Sequence, residues 1–387
     1  MKVVCDRGAL LEAVNLVSAV TATRTPKPQL GCVKLSAADG ELVMAATDAE
    51  VGLTLRIGRV DVAEEGDALI PADKLRQIVG AEDNEPTLTI DATGDLATIS
   101  GADAEFKLNT YPATDFPAVP DFNAIAKGAG GNHPARTIFA IDAGSFEALV
   151  ARTLFAAARE NSRYAINGVL MNRDGKKLEM VATDGRRLAK CTATIEGSSG
   201  DDSAGCIVPS KALSLLLKLA ADDNEPINVA VSDNQIVFAF GEDAADSRAV
   251  LSSNLVEGTF PPYEDVIPKD QDIKVTFDRD VLASAVRRAA LLTNEESRGV
   301  RMAFSGASKK LQLSSRAPEM GEAKVDVDLA GYEGNDIEIG FNPAFITDAL
   351  KVIHDPSVLI ELKASNKPGL LRSGDDFVYV VMPVNLQ

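Results

Sequence analysis

The sequence predicts an α+β protein in which one domain-sized unit, antiparallel sheet with helices on one face, is written three times. Three observations lead there. Asp6-Arg7-Gly8-Ala9-Leu10-Leu11, Asp142-Ala143-Gly144-Ser145-Phe146-Glu147 and Asp278-Arg279-Asp280-Val281-Leu282-Ala283 open alike, and their aspartates lie 136 residues apart in both intervals. A proline-led apolar segment follows each, with Pro71, Pro209 and Pro343 lying 65, 67 and 65 residues after the aspartates. Two apolar stretches, Glu41–Ala46 and Lys177–Ala182, then run into the same pair, Thr47-Asp48 and Thr183-Asp184, again 136 apart. A period this long is a whole domain rather than a solenoid unit of about 20–50 residues.

In chain order, helices are expected over residues 10–21, 70–81, 146–158, 208–220, 281–293 and 341–353. Apolar residues there recur three and four apart, as Leu213, Leu216 and Leu217 do. Proline suits a first helical turn, whose N–H groups lack a partner anyway. Short strands are expected between the helices, for example Gly40–Ala46, Lys177–Ala182 and Lys310–Ser314. The turn clusters Ala38-Asp39-Gly40, Arg173-Asp174-Gly175 and Asp233-Asn234 separate such strands. The third copy has Ser315-Arg316 where the others have Thr-Asp. Phe116-Pro117 and Phe260-Pro261-Pro262 close the first two copies, and Lys127–Pro134 is a glycine-rich linker. Domains are therefore placed at 1–135, 136–267 and 268–387.

Composition excludes several function classes. Hydrophobic content of 45% and charged content of 25% are ordinary for a globular chain. Trp is absent and aromatics make up 5%, which argues against an aromatic carbohydrate or base-stacking surface. The four cysteines, Cys5, Cys32, Cys191 and Cys206, lack C-x-x-C spacing and read as reduced packing residues of a cytoplasmic protein. The start, Met1–Asp6, has no signal-peptide apolar run, and no apolar stretch reaches the length of about 18 residues that spans a membrane. The only histidines are His133, in the linker, and His354, after a helical pattern. They leave no basis for a histidine-held metal or a Ser-His-Asp triad, and no cofactor is expected. Phosphate-loop and dinucleotide glycine motifs are also missing.

Charge is segregated. The formal net charge is −18. Yet the six helical segments hold eight basic residues, Lys74, Arg76, Arg152, Lys211, Lys218, Arg287, Arg288 and Lys351, against the acids Glu12, Asp73, Glu147 and Asp348. Lysine and arginine can simply solvate the outer face of an amphipathic helix. Repeated in three copies, the pattern also suits basic helices facing one polyanion while acidic sheets face away, with sequence-independent, salt-sensitive phosphate contacts. Arg152, Lys211, Lys218, Arg287 and Arg288 are the candidates for that face.

Asp48 and Asp184 are the best candidates for acid–base chemistry, and a carboxylate-dependent hydrolase is one alternative. A turn role, with each aspartate accepting backbone N–H bonds, is the favoured reading. A repeat adaptor that never touches DNA is another alternative. Two segments read as binding surface: Thr183-Asp184-Gly185-Arg186-Arg187-Leu188, and the terminal Tyr379–Gln387, apolar almost to its end. The latter is either a final core strand or the wall of an adaptable apolar cleft.

The whole chain resembles the bacterial DNA polymerase III beta subunit family, the replicative sliding clamps. The motifs that carry the resemblance are Val181–Ala189, Gly258-Thr259-Phe260-Pro261-Pro262-Tyr263 with Val266-Ile267-Pro268, Asn294-Glu295 followed by Arg298–Arg301, and Tyr379–Pro383. The resemblance implies a non-catalytic, head-to-tail homodimeric ring, with two helices per domain lining a central hole and the sheets outside. Such a ring encircles double-stranded DNA and tethers the replicative polymerase. It also implies a groove for short linear peptides of polymerases, clamp loader, translesion polymerases and repair proteins. The matching positions are Ile166, Thr183, Gly185, Arg186, Arg187, Leu188, Pro261, Val266, Ser365, Val380, Met382, Pro383 and Val384. Phe106, Leu291 and Leu292 match its dimer contact, and Arg24 matches a DNA-contacting loop. Asp265 and Asn385 each stand where the best-known family members carry a basic residue.

Overall fold

The computed structural model describes residues 1–22, 24–128, 134–159, 164–220, 223–293 and 299–385. Its helices are α1 (Arg7–Ser18), α2 (Ala72–Ala81), α3 (Phe122–Lys127), α4 (Ala143–Leu154), α5 (Ser210–Leu219), α6 (Arg279–Ala290) and α7 (Pro343–Val352). The repeated aspartates start three of them. Asp6, Asp142 and Asp278 accept the backbone N–H groups of Ala9, Ser145 and Val281 at 2.9, 2.7 and 3.0 Å. Each thereby satisfies one of the orphan donors of a first helical turn. Pro71 and Pro209 occupy N-cap positions and Pro343 the first turn itself. α1, α4 and α6 begin two to three residues earlier than their apolar periodicity suggests, because the capping aspartates lie outside the apolar stripe, whereas α2, α5 and α7 begin two residues later.

α3 was not legible in that periodicity. Its Phe122 and Ile125 pack on Ala230, Val237 and Ala239. It ends at Gly128, whose φ of 73° is the left-handed conformation that glycine adopts without strain. His133 and most of the expected linker lie outside the described residues.

The chain forms two compact units. One comprises Met1–Glu147, Asp174–Lys176 and Ile195–Val256; the other comprises Ala148–Arg173, Lys177–Thr194 and Glu257–Gln387. In the first, a five-stranded sheet runs in the order Val60–Glu64, Lys2–Asp6, Thr87–Thr93, Leu96–Ser100, Glu105–Asn109. A larger sheet runs Glu196–Gly200, Thr137–Asp142, Pro226–Val231, Gln235–Phe240, Ala249–Asn254, Val51–Ile57, Glu41–Thr47, Cys32–Ala38, Gly66–Pro71. In the second unit one sheet includes, in order, Lys177–Thr183, Arg187–Thr194, Phe377–Val381, Gly369–Ser373, Ser357–Leu362, Ile273–Asp278 and Gly331–Glu333. The other runs Gly321–Asp328, Lys310–Ala317, Val300–Ser305, Ile337–Phe341.

The copies join by one rule. The last strand of the second copy pairs with the fourth strand of the first, Leu251 opposite Leu53. The last strand of the third pairs with the fourth of the second, Tyr379 opposite Ala189. Both junctions are antiparallel and continue the sheet across the copy boundary. Counting along the ladders from Asp6, Asp142 and Asp278 makes Phe106 the equivalent of Leu251 and Tyr379. Counting from the starts of α2 and α7 makes Ala323 the equivalent of Leu53. Leu251 and Tyr379 are fully buried, whereas Phe106 is only half-buried. Its strand, Glu105–Asn109, and the strand Gly321–Asp328 are the last members of their sheets among the described residues.

Candidate functional site

The second unit holds a cavity of about 210 Å³. Its floor is cut from the cluster of Val181, Leu188, Leu370 and Val380, on which Phe260, Tyr263 and Ile267 pack. One wall is the turn Thr183–Leu188. The Thr183 hydroxyl donates to Arg187 O (2.7 Å) and accepts from Gly185 N (3.1 Å), while Asp184 accepts from the N–H groups of Arg186 and Arg187 (2.9 and 3.1 Å). The first copy makes the same turn through Thr47, Asp48, Glu50 and Val51. The third residue of the turn is left-handed in both, Gly185 at φ 85° and Ala49 at φ 77°. Glycine takes that conformation freely; alanine does so under strain.

Another wall is the loop after Phe260, where Pro261, Pro262, Tyr263 and Val266 face the cavity. The Tyr263 hydroxyl donates to Glu179, Lys190 pairs with Glu179 at 2.7 Å, and the Lys190 ammonium lies 5.7 Å from the Tyr263 ring centroid. Burial alone would raise the Glu179 pKa, but the hydrogen bonds from Lys190 and Tyr263 outweigh it and hold the group below its ordinary value. The last strand of the chain closes the cavity. Pairing continues past Val381 through Met382 N to Arg186 O at 2.9 Å, which brings the Met382 side chain into the lining. Tyr164, Val266 and Met382 remain 49%, 45% and 41% exposed, so the cavity opens to solvent through large apolar groups.

Ten of the thirteen groove positions named from the sequence gather here. Ser365, Pro383 and Val384 fall outside the lining. Ser365 sits exposed in the turn after Leu362, and Val384 N donates to Gly340 O, which draws the tail back onto the sheet. Tyr164, Pro262 and Tyr263 complete the lining and were not singled out. The last two stand inside the quoted Gly258–Tyr263 motif, so the signal was present; Tyr164 has none beyond proximity to Ile166.

Arg187 lines the cavity with its stem, but its charge is committed elsewhere. The guanidinium donates to Asp184 (3.0 Å), to Asp348 on α7 (2.9 Å) and to Phe155 O (2.8 Å), and lies 4.5 Å from the Phe345 ring centroid. With the side chain only 10% exposed, it is a strut that fixes the wall.

The basic candidates divide. Arg152 pairs with Asp376 at 2.7 Å, lies 5.9 Å from the Phe377 ring centroid and is 14% exposed, so much of its charge is already committed. Lys211 is tied to Asp48 and donates to Val20 O, a half-exposed cation already neutralised. Arg24, Lys218, Arg287 and Arg288 are exposed and make no ion pair with described residues.

Asp48 and Asp184 carry no hydrolase geometry, since each is consumed by its turn and by Lys211 or Arg187. Burial would raise the Asp48 pKa, but bonds from Lys211 and the Val51 and Glu50 N–H groups bring it below the ordinary value. All four cysteines are free and buried, with burial pushing Cys5 and Cys206 up to about 12 and Cys32 and Cys191 up to about 11. Leu291, at the end of α6, is 71% exposed, so it is not interior packing, and Leu292 is half-buried. No described helix is long and apolar enough to cross a membrane.

The fold and site define a binding protein: a tandem of like domains in which the strands Glu105–Asn109 and Gly321–Asp328 lack the partner their equivalents have, with an apolar groove in the second unit. Family models for the N-terminal, central and C-terminal domains of the DNA polymerase III beta subunit match residues 1–120, 140–262 and 264–385. The chain belongs to that family, the beta sliding clamps, whose members confer processivity without catalysis. It is 34% identical over 383 residues to the beta sliding clamp of Pseudomonas aeruginosa, covering 98% of this chain and 99% of that one. It is 31% identical over 388 residues to that of Escherichia coli K12, covering all of both. The crystal structure of the Pseudomonas aeruginosa clamp bound to griselimycin superposes with a TM-score of 0.88 at 33% identity, and the Bacillus subtilis clamp with 0.87 at 25%, each over the full length of both chains.

Proposed function

We infer that the chain is a DNA sliding clamp for DNA polymerase III: two copies close head to tail around duplex DNA and hold the polymerase on it. The observation that carries this is the pair of unmatched edges. The rule that joins copies within the chain, last strand to fourth strand, leaves the last strand of the first copy and the fourth strand of the third. Joined between two chains by the same rule, Phe106 lies opposite Ala323. That register places Glu105 opposite Lys324 and Lys107 opposite Glu322, two opposite-charge pairs that played no part in the counting. The exposed Leu291, with Leu292 near the start of the Gly321–Asp328 strand, supplies apolar cover for Phe106. Such a contact is heterologous, and two of them close a ring in which neither of these two edges is left unpaired.

The three domains meet near residues 136 and 268. Arg24, Lys218, Arg287 and Arg288 face the phosphates, loosely and without reading sequence, so that the topological link rather than affinity retains the ring. The cavity of the second unit receives short apolar peptides from the replicative polymerase, the clamp loader, translesion polymerases and repair proteins. Tethering then works by effective concentration. The reduced, buried cysteines fit a cytoplasmic protein.

Loading the protein onto nicked circular duplex with its clamp loader tests this reading. Retention on the circle in high salt, with release once the circle is cut, is expected; equal retention on circular and linear DNA contradicts it. Met382→Ala should weaken binding of partner peptides while leaving the dimer intact.

A further inference from the structure

The mouth of the cavity is electrically polarised. Glu264 and Asp265 stand between Tyr263 and Val266, two of its lining residues, and open the short 3₁₀ turn Glu264–Val266. Both acids are exposed, and neither pairs with a described cation. Burial and the hydrogen bond to Glu179 hold the Tyr263 phenol above its ordinary value, and the Glu264 charge adds to this. Two nearby cations are occupied: Lys190 pairs with Glu179, and Arg187 with Asp184 and Asp348. Of the two described cations that line the cavity, Arg186 remains without an ion pair, exposed on the Thr183–Leu188 wall. Two exposed carboxylates therefore flank one wall of the apolar cavity in the chain, and the other wall carries an exposed guanidinium.

We propose that this groove selects linear peptides whose apolar anchor is flanked by a lysine or arginine on the side that lies over Glu264 and Asp265, with an acidic residue favoured on the Arg186 side. The inference rests on the reading of the cavity as a peptide groove. Burial of the anchor supplies the affinity, and the rim charges supply direction and choice of partner. A nucleic acid strand does not fit this mouth, since its phosphates meet two carboxylates.

Two fluorescently labelled peptides of identical composition test it: one apolar core with a lysine before and a glutamate after, and the same core with the charges exchanged. Exposed ion pairs are individually weak, so the matched order should bind about three- to tenfold tighter in 0.1 M salt. The preference should shrink in 1 M salt, where the screening length falls from about 10 to about 3 Å. Because net charge is the same, the chain's overall acidity cannot produce the difference. Glu264→Lys with Asp265→Lys should abolish the preference, and adding Arg186→Glu should reverse it. Equal binding of the two peptides in low salt, or a preference unchanged in these variants, overturns the charge inference and leaves the groove standing. Failure of both peptides to bind, or binding untouched by Met382→Ala, overturns the groove reading and the inference with it.

Discussion

Exchanging Lys107 and Glu322 tests the register of the proposed ring contact. With Phe106 opposite Ala323, Lys107 faces Glu322 across the joint, and both are more than half exposed in the single chain. An exposed cross-strand pair contributes about 0.2–1 kcal/mol, and like charges placed opposite cost a similar amount. Lys107→Glu therefore changes one contact by about 1 kcal/mol. A ring of two copies contains two such contacts, so it loses about 2 kcal/mol, roughly 30-fold in its dissociation constant. Glu322→Lys should cost the same, and the double variant Lys107→Glu/Glu322→Lys should return to within a few-fold of the parent. Sedimentation or mass photometry across a dilution series measures all four proteins. A register slipped by one residue would set position 107 against Gly321 or Ala323, and no rescue could occur. A double variant as weak as its singles combined would refute the register.

Three further outcomes concern stability. Arg187→Ala strands Asp184, Asp348 and Phe155 O, and should cost about 3 kcal/mol, lowering the thermal midpoint by about 6–12 °C. A calorimetric shift under about 2 °C would contradict the strut. Ala49→Gly should raise stability by about 1 kcal/mol, because it relieves a left-handed alanine at the turn where the second copy already has Gly185; a loss in denaturant midpoint would contradict it. The folded-state pKa of Glu179 is depressed, so its contribution is present above the ordinary value of 4.5 and fades as pH falls below it. Glu179→Gln should thus be destabilising at neutral pH and nearly neutral in acid, and a pH-independent difference would contradict the assignment.

Much of this architecture was legible because the chain states it three times. The repeated aspartates marked helix starts without revealing why, since a cap is a hydrogen bond to a backbone group that periodicity cannot register. α3 escaped because six residues are too few to show a 3.6-residue period. The groove was half legible. Thr183–Leu188 and the apolar tail stood out as binding surface, while Tyr164 joins them only through folding. Charge counting found the basic helices but could not tell a free cation from a committed one. Arg152 and Arg187 end against Asp376 and Asp348, residues 224 and 161 positions away. The joining rule was invisible in the sequence, because register is a property of pairs.

The central claim is that one joining rule, applied twice within each chain and twice between chains, closes a ring. Class-averaged electron micrographs of the free protein test it most directly. The account predicts a closed, pseudo-sixfold ring of two copies with a central hole wide enough for duplex DNA. Open arcs, filaments or compact particles without a hole would contradict it.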